Sequence, residues 1–551
     1  MSQIELDTVP PMGATLDDAH VGHIRGALGT ILQGDDGPRE SWRARFKTLM
    51  AIIGPGLIVM VGDNDAGAFG TYTQAGQNYG TTLLWTLLLL VPVLYVNQEM
   101  VLRLGAVARV GHARLILERF GRFWGAFSVI DLFLLNGLTI VTEFIGISLA
   151  LDYLGVSREL GVVAAAVLVM AAAGTGDFRR FERFSLILCV GSLLLVPVFL
   201  MAHPPVGQIA HDFVVPSLPK EAKLSDVMLL IIAIVGTTIA PWQLFFQQSY
   251  VIDKRITPRF MRYERADLWI GIVLVVIGAV AMMSFSAATF SGRPEFGNFV
   301  DAGAVASAIG AYVGRGAGVL FALALIDASI IGAAAVSLST AYAIGDVLSL
   351  KHSLHRKPSE AKGFYAVYAG LIALAAALVL TPGTPLGLLT NAVQTLAGVL
   401  LPSATVFLLL LCNDKAVLGP WVNSPRLNAF TGAVIAVLVL LSMILTASVL
   451  WPDMGEETIL AILAGGGIVA ARVALGFVVW QKRTAGEAPV MSAPVTAGLR
   501  NNWQMPPLSD LPPARLSLAA RLWMIVLRGY LVVAGGLVVI RIVQLALGSQ
   551  G

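Results

Sequence analysis

The sequence predicts an all-α integral membrane protein in which two helices are interrupted within the membrane. Of its 551 residues, 56% are hydrophobic and only 13% are charged, which is far too apolar for a soluble protein of this length. Apolar runs close to the about 20 residues that a helix needs to cross a bilayer recur from Ala51 onward. The alternating hydrophobicity of membrane-barrel strands is absent from the sequence. The protein is therefore expected to cross the membrane as a bundle of helices.

The long apolar runs are predicted to be membrane spans. They lie near residues 51–74, 81–103, 124–152, 159–175, 184–202, 227–250, 267–290, 316–345, 364–381, 386–411, 428–450, 457–480 and 523–546.

The distribution of basic residues predicts a cytoplasmic N-terminus. Basic residues precede the first span and follow the second, fourth, sixth, eighth and twelfth spans, where the segments include "FRRFER", "DKRITPRFMRYER" and "KHSLHRKPSEAK". The acidic segment "PDMGEE", between spans 11 and 12, falls on the other side. Positive charge accumulates on cytoplasmic loops, so we expect a multi-pass protein of the plasma (cytoplasmic) membrane, here a bacterial inner membrane. The net charge of +3 then reflects topology, and no nucleic-acid partner is expected.

The same pattern divides the chain into regions. Residues 1–47 are polar, have no signal-peptide pattern, and are predicted to be a cytosolic N-terminal tail. Residues 48–411 form a ten-helix core, with one repeat at about 48–205 and another at about 225–411. Accessory transmembrane helices follow at 428–480, then a cytosolic linker at 481–518 that is rich in Pro, Ala and Ser, and a candidate final helix at 519–551. With only two cysteines, neither a disulfide framework nor a thiolate metal site is expected.

The first span contains the most polar run of the membrane region, "VGDNDAGAF" at residues 61–69. Glycines weaken a helix there, and lipid cannot satisfy the freed backbone groups, so the run must face protein or a water-filled cavity. Asp63, Asn64 and Asp65 are thus candidate site residues. The alternative is a loop between two shorter helices, but the flanking apolar runs are too short to span separately, and charges inside membranes are usually functional.

A second interruption lies five spans later, in "IVGTTIAPWQLFFQQS". Pro241 removes a backbone donor and frees a carbonyl one turn upstream. Paired interrupted helices at matching positions of two five-helix halves are typical of inverted-repeat transporters, with the binding site where the interruptions meet. Freed carbonyls and an intramembrane carboxylate favour a cation, and these oxygen ligands suit a hard divalent one.

Several segments resemble the Nramp family of divalent-metal transporters, which has the LeuT-type inverted repeat of 5+5 helices. The first interruption lies within "GPGLIVMVGDNDAGAFGTYTQAGQNYGTTLLW", which resembles the family's first helix and the start of its second. "TEFIG" at 142–146, "GTTIAPWQLFFQQS" at 236–249 and "QTLAGVLLP" at 394–402 resemble its third, sixth and tenth helices. The resemblance covers roughly residues 50–411 and implies a transporter without a cofactor or enzymatic activity. No obligate protein partner is evident.

The departures from the family pattern bear on the substrate. Where the family has Asp-Pro-Gly-Asn, this chain has Asp65-Ala66-Gly67-Ala68, and the family's Met-Pro-His appears as Ala240-Pro241-Trp242. Losing the thioether removes a preference for softer ions, and losing both side-chain ligands suits an ion that keeps several waters. These departures resemble the Nramp-related magnesium transporter branch. The implied metal-site residues, some acting through water or backbone carbonyls, are Asp65, Ala68, Thr237, Thr238, Ala240 and Gln394.

The resemblance also bears on proton coupling. Family members that co-transport protons have an Asp and a Glu one turn apart in the third helix and a His in the sixth. The corresponding residues here are Ile140, Glu143 and Trp242, so we expect transport without proton coupling. Glu143 is either part of the ion pathway or a buried carboxyl group without a relay role. Asp327, also inside a span, is expected either to line the ion pathway or to cap a neighbouring helix.

The sequence therefore favours uptake of a hydrated divalent cation by alternating access, with Mg²⁺ as the main substrate and Mn²⁺ also carried. One alternative is a proton-coupled carrier of Mn²⁺ or another transition metal. A second is a degenerate relative that no longer transports. A third, of another class, is a non-transporting membrane metal sensor.

Overall fold

The computed structural model describes residues 14–35, 37–220, 222–382, 386–451, 455–484 and 497–514, together with residues 524, 525, 527–529, 532 and 536. The predicted final span at 523–546 lies largely outside these residues, as does much of the predicted linker. Some side chains within the later helices also lie outside the described set, and that of Gln394 is among them.

The described residues fold almost entirely into helices. The helices of the first half are α1 (Trp42–Ile52), α2 (Pro55–Val61), α3 (Ala66–Tyr79), α4 (Trp85–Ala108), α5 (His112–Phe120), α6 (Arg122–Leu154), α7 (Arg158–Ala173), α8 (Phe178–Gly191), α9 (Leu195–Ala202) and α10 (Val206–Val214). Those that follow are α11 (Leu224–Thr238), α12 (Pro241–Asp253), α13 (Met261–Phe290), α14 (Ala302–Tyr312), α15 (Arg315–Leu348), α16 (Lys362–Leu380), α17 (Leu386–Cys412), α18 (Lys415–Leu418), α19 (Pro425–Leu450), α20 (Glu456–Thr484) and α21 (Ala497–Asn502).

The predicted spans through residue 480 coincide with these helices, and their ends agree to within about one or two turns. Among the described residues, eight helices or continuous helix pairs are long and apolar enough to cross a membrane, and up to ten if two bent pairs are each taken as one span. Both predicted interruptions are present: four residues separate α2 from α3, and two residues separate α11 from α12.

The fifth predicted span is also less regular than its hydropathy indicates. It begins earlier than expected, at Phe178, and a 3₁₀ turn at Ser192–Leu194 separates α8 from α9. Hydropathy could not locate this break, because its residues are as apolar as those of a continuous helix.

The two interrupted helices lie at the centre of the bundle. Helix α13 packs along α2 and α3, α12 packs against α4 and α15, and α6 packs along α15. Helix α11 contacts α3, and α12 contacts α2. The two interruptions therefore face each other, as the pairing of five-helix halves predicts.

The N-terminal region, predicted from sequence as a polar tail, contains an ordered segment at residues 14–31, which we call the N-terminal segment. A 3₁₀ turn at Asp18–His20 is followed by a two-stranded antiparallel hairpin of β1 (Ile24–Gly26) and β2 (Gly29–Ile31). Ile24, Ala27 and Ile31 of the hairpin are buried, and the hairpin packs against α1 and α8. The segment contacts the basic loops that follow spans 4, 6 and 8, so the loops assigned from charge to one side of the membrane lie together at one end of the bundle.

A buried lysine lies at the bend between α1 and α2, whose axes differ by 52°. Lys254 donates from Nζ to the carbonyls of Ile52, at 2.5 Å, and Ile53, at 2.8 Å, and to Oε1 of Glu182, at 2.6 Å. The chain turns at Gly54, whose φ of +151° is accessible chiefly to glycine. Asp267 accepts hydrogen bonds from the first N–H groups of α2. Lys254 thus binds the end of α1 and Asp267 binds the start of α2, one on each side of the bend in the chain.

Candidate metal-binding site

The first interruption places a carboxylate at the start of α3. Asp65 is the N-cap residue of this helix, and its Oδ1 accepts a hydrogen bond from the backbone N–H of Ala68 at 2.9 Å. Its side chain is buried, with 8% of the residue exposed. A capping carboxylate interacts favourably with the positive end of the helix dipole, so Asp65 is held in one orientation at the interruption.

A second carboxyl group, from α6, reaches the same helix end. Oε2 of Glu143 accepts from the N–H of Ala66 at 3.1 Å, and Glu143 is fully buried. The carboxyl groups of Glu143 and Asp65 therefore lie at the same helix end. The structure places Glu143 beside the predicted anchor, which the sequence did not specify.

Asp63 points in a different direction, towards α12. Its Oδ1 accepts a hydrogen bond from Nε2 of Gln243, whose Oε1 in turn accepts from Nε2 of Gln98 on α4 at 3.0 Å. Both glutamines are fully buried. They were not among the predicted site residues, although Gln243 lies in the quoted sixth-span motif. The sequence signal that could have identified them is a polar amide side chain within an otherwise apolar helix.

The end of α11 is joined to α3 by hydroxyl groups. The hydroxyls of Thr237 and Thr71 lie 3.2 Å apart, and the Tyr72 hydroxyl lies 2.7 Å from that of Thr238. Thr238 also donates to the carbonyl of Ile234 at 2.6 Å. Thr71 and Tyr72 were missed from sequence because nothing in a helical pattern indicates which hydroxyl faces another helix.

The remaining predicted site residues differ in what they contribute. Ala68 and Ala240 lie at the two helix starts and offer no side-chain ligand. The Trp242 ring is buried beside Gly62, so a large apolar group stands at the end of α2. The side chain of Gln394 lies outside the described residues. Asp327 is not brought to Asp65 and lies on α15, against Gly191.

The side chains of the two interruptions offer oxygen atoms, and no sulfur or imidazole nitrogen, as metal ligands. Residues 62–68 and 237–242 contain no cysteine, methionine or histidine. Within the described part of the chain, no group of three or more His, Cys, Asp or Glu side chains could hold a metal ion. A cation here would therefore depend on few carboxylates, on backbone and hydroxyl oxygens, and on its own waters.

Comparisons with known proteins agree with this geometry. A family model described as natural resistance-associated macrophage protein-like (Nramp) matches residues 56–448. The chain is 27% identical over 454 residues to the divalent metal cation transporter MntH of Deinococcus radiodurans, covering 79% of this chain and 96% of that protein. It is 26% identical over 458 residues to the Xylella fastidiosa protein of the same name, with 80% and 92% covered.

A solved structure gives the same result for the fold. The manganese transporter of Eremococcus coleocola, in complex with an aromatic bis-isothiourea substituted compound, superposes with a TM-score of 0.62 at 20% identity. The match covers 85% of this chain and 98% of that one. It confirms the predicted all-α fold with a LeuT-type inverted repeat.

Proposed function

The chain belongs to the Nramp family of divalent-metal transporters, and on that premise we propose that it carries a divalent cation that keeps part of its water shell. Mg²⁺ is the principal substrate in this proposal, Mn²⁺ is also carried, and net proton movement is not required. Transport proceeds by alternating access across a bacterial cytoplasmic membrane, with the N-terminus in the cytoplasm.

The observation that carries the proposal is the set of ligands at the two interruptions. Asp65 offers a carboxylate, whereas Ala68 and Ala240 offer only backbone groups. A site with one anchoring carboxylate and no sulfur favours an ion that supplies much of its coordination from water, as Mg²⁺ does. It also removes the advantage that a thioether would give softer transition metals.

The absence of proton coupling is supported by the residues around the carboxyl pair. A proton held by Glu143 or Asp65 is expected to be released on cation binding, because the cation favours the ionised carboxylates. Carrying the proton across the membrane needs further titratable groups. Ile140 and Trp242 stand where the family's relay groups would be, and neither can hold a proton.

A second candidate is a proton-coupled manganese carrier. The position of Glu143 beside Asp65 favours it, because a titratable group close to the metal anchor is the first requirement of coupling. The names of the similar proteins, a divalent metal cation transporter and a manganese transporter, favour manganese. The two candidates differ in selectivity and in proton stoichiometry.

The experiment is ion uptake into proteoliposomes, with Mg²⁺, Mn²⁺ and Ca²⁺ compared with and without a pH gradient. We expect Mg²⁺ and Mn²⁺ uptake without stoichiometric acidification of the lumen, and weak competition by Cd²⁺. Block of uptake by micromolar Cd²⁺, together with poor competition by millimolar Mg²⁺ against Mn²⁺, would favour the second candidate. So would proton entry in fixed ratio to the metal.

A further inference from the structure

A small cavity lies beside the first interruption, and neither Asp65 nor Glu143 lines it. It is lined by residues of α2, the interruption, α3, the 3₁₀ turn, α9 and α15. Its polar groups are the side chains of Asn64, Ser192 and Asp327, and the rest of its lining is apolar. It holds about 10 Å³ of space for the centre of a water-sized sphere, which is room for about one water molecule or one small bare cation.

Each of the three polar side chains that line this cavity has an oxygen that can accept a hydrogen bond. Asn64 is 4% exposed and donates from Nδ2 to the carbonyl of Val275 at 3.1 Å. Its Oδ1, and Oδ2 of Asp327, are buried and have no hydrogen-bond partner in the described part of the chain. The Ser192 hydroxyl donates to the carbonyl of Cys189 at 2.8 Å, which leaves its oxygen able to accept. An unpartnered buried acceptor is costly, so two on one cavity require an occupant that satisfies them.

The Asp327 carboxylate can reach the cavity because residue 191 is a glycine and has no side chain in its way. The Asp327 carboxyl group lies against the backbone of Gly191, where a Cβ would collide with it. The 3₁₀ turn that follows Gly191 presents Ser192 to the same space. The break in the fifth span, which hydropathy did not indicate, thus forms one wall of the cavity.

We propose that this cavity is a binding site for a small monovalent cation of the size of Na⁺, held by Asp327, Asn64 and Ser192. One carboxylate balances one positive charge, whereas a divalent ion would leave a charge uncompensated in a poorly solvated site. A divalent ion would also keep waters for which the cavity has no room. The bound cation joins the interrupted helix to α15 and to the fifth span, so its occupancy favours the conformation in which they pack together. Its link to transport rests on the proposed function.

The test is a titration of purified protein with NaCl, at constant ionic strength with choline chloride and in the presence of EDTA, followed by thermal unfolding. We expect a saturable rise in Tm with Na⁺, absent in Asp327→Asn and in Gly191→Ala. The matched control is Asp131→Asn, an acid-to-amide change in α6 that should keep the response. Uptake of Mg²⁺ should rise about fivefold or more with saturating Na⁺ in wild type and in Asp131→Asn, and should not rise in Asp327→Asn or Gly191→Ala.

Each outcome decides something. A Tm that is independent of Na⁺ overturns the proposed cation site. So does a Na⁺-dependent rise in Tm that persists in both Asp327→Asn and Gly191→Ala. Either result would mean that water occupies the cavity. A Na⁺-dependent Tm in a protein that carries no divalent ion overturns the proposed function and leaves the site. A Na⁺-dependent Tm with Na⁺-independent Mg²⁺ uptake overturns the link between occupancy and transport.

A second inference comes from the N-terminal segment, which contacts parts of both repeats. Asp17 pairs with Arg356, whose Nη2 lies 2.6 Å from Oδ1, and accepts from the N–H of His352 at 2.9 Å. Burial alone would raise the pKa of Asp17, but the hydrogen bond from Arg356 holds that pKa well below its usual value. Arg255 donates to the carbonyl of Ala19 at 2.9 Å. These contacts are to loops of the second repeat.

The hairpin contacts the first repeat. Arg183 of α8 donates to the carbonyl of Ala27 at 3.0 Å, and the N–H of Ala27 donates to Glu182. Glu182 also pairs with Lys254, which fixes the bend between α1 and α2. Alternating access moves one repeat or bundle against the other, so a segment bonded to both resists that movement. We infer that the N-terminal segment is a latch that keeps this end of the transporter closed.

The test compares Arg183→Glu and Arg356→Glu, which break the two ends of the latch, with Arg180→Glu as the matched control. Arg180 lies on the same helix as Arg183 but forms an ion pair only with Asp177 among the described residues. Hydrogen exchange should become about tenfold faster in residues 14–31 and in α2 for the two latch variants, and the control should match wild type. Faster exchange confined to residues 14–31, with α2 unchanged, would make the segment a passive cover and overturn the inference.

Discussion

Replacing Lys254 by methionine should destabilise the protein strongly, because it removes the cation from a fully buried pair. Lys254 and Glu182 are each 0% exposed, and their N–O distance is 2.6 Å. At an effective dielectric constant of about 20, the Coulomb attraction at this distance is about 6 kcal/mol. Desolvation costs several kcal/mol per ion, so the pair itself adds little net stability.

The single substitution is a different case from loss of the whole pair. It leaves the Glu182 carboxylate without its counter-charge, and the carbonyls of Ile52 and Ile53 lose their donor. Breaking one partner of a buried pair typically costs about 3–5 kcal/mol. We therefore expect Lys254→Met to lower the free energy of unfolding by about that amount.

The assay is an unfolding titration in mixed detergent micelles, with a double-mutant cycle. Adding Glu182→Gln to Lys254→Met should recover at least about 1.5 kcal/mol, because the amide removes the stranded charge and can still accept from Ala27. The control, Lys362→Met at an exposed position, should change stability by no more than about 0.5 kcal/mol. Additive losses in the double variant, or a Lys254→Met protein as stable as wild type, would refute the reasoning.

Three further predictions concern the anchor, the pH dependence and selectivity. Asp65→Ala should abolish metal uptake and cost about 1 kcal/mol of helix capping, whereas Asp65→Asn should abolish uptake with the cap retained; uptake at the wild-type rate in the latter would exclude the anchor. Burial lowers the pKa of His352, but its hydrogen bond and the charge of Asp346 outweigh this and raise the pKa from 6.5 to about 9. The stability that protonated His352 contributes is thus complete below pH 6.5 and lost as pH rises through 9. The fall in Tm between pH 6.5 and 9.5 should therefore be smaller in His352→Gln than in wild type. Parallel Tm profiles of the two proteins would contradict this prediction. Ala68→Asn with Ala240→Met should shift competition against Mg²⁺ uptake towards Mn²⁺ and Cd²⁺, which a competition assay with each ion measures.

Much of the fold could be predicted from the sequence because hydropathy, span length and interruptions are local properties. A run of about 20 predominantly apolar residues is long enough to cross the membrane as a helix. The glycines around "GDND" cannot continue a lipid-facing helix, because lipid does not satisfy the backbone groups that they free. The motifs around Asp65 and Pro241 were sufficient for the family. The ends of the spans and both interruptions were located by the same local reasoning.

The partners of the polar side chains could not be predicted in this way. Asp63 meets Gln243 across 180 positions of sequence, and Ala27 meets Glu182 across 155. Asp327 was identified as an intramembrane carboxylate, but its placement beside Asn64 depends on how α15 packs against the first and fifth spans. Residue type and spacing set which side chains are polar and buried. The packing of whole helices against one another sets which oxygen faces which donor, and only the tertiary structure decides that.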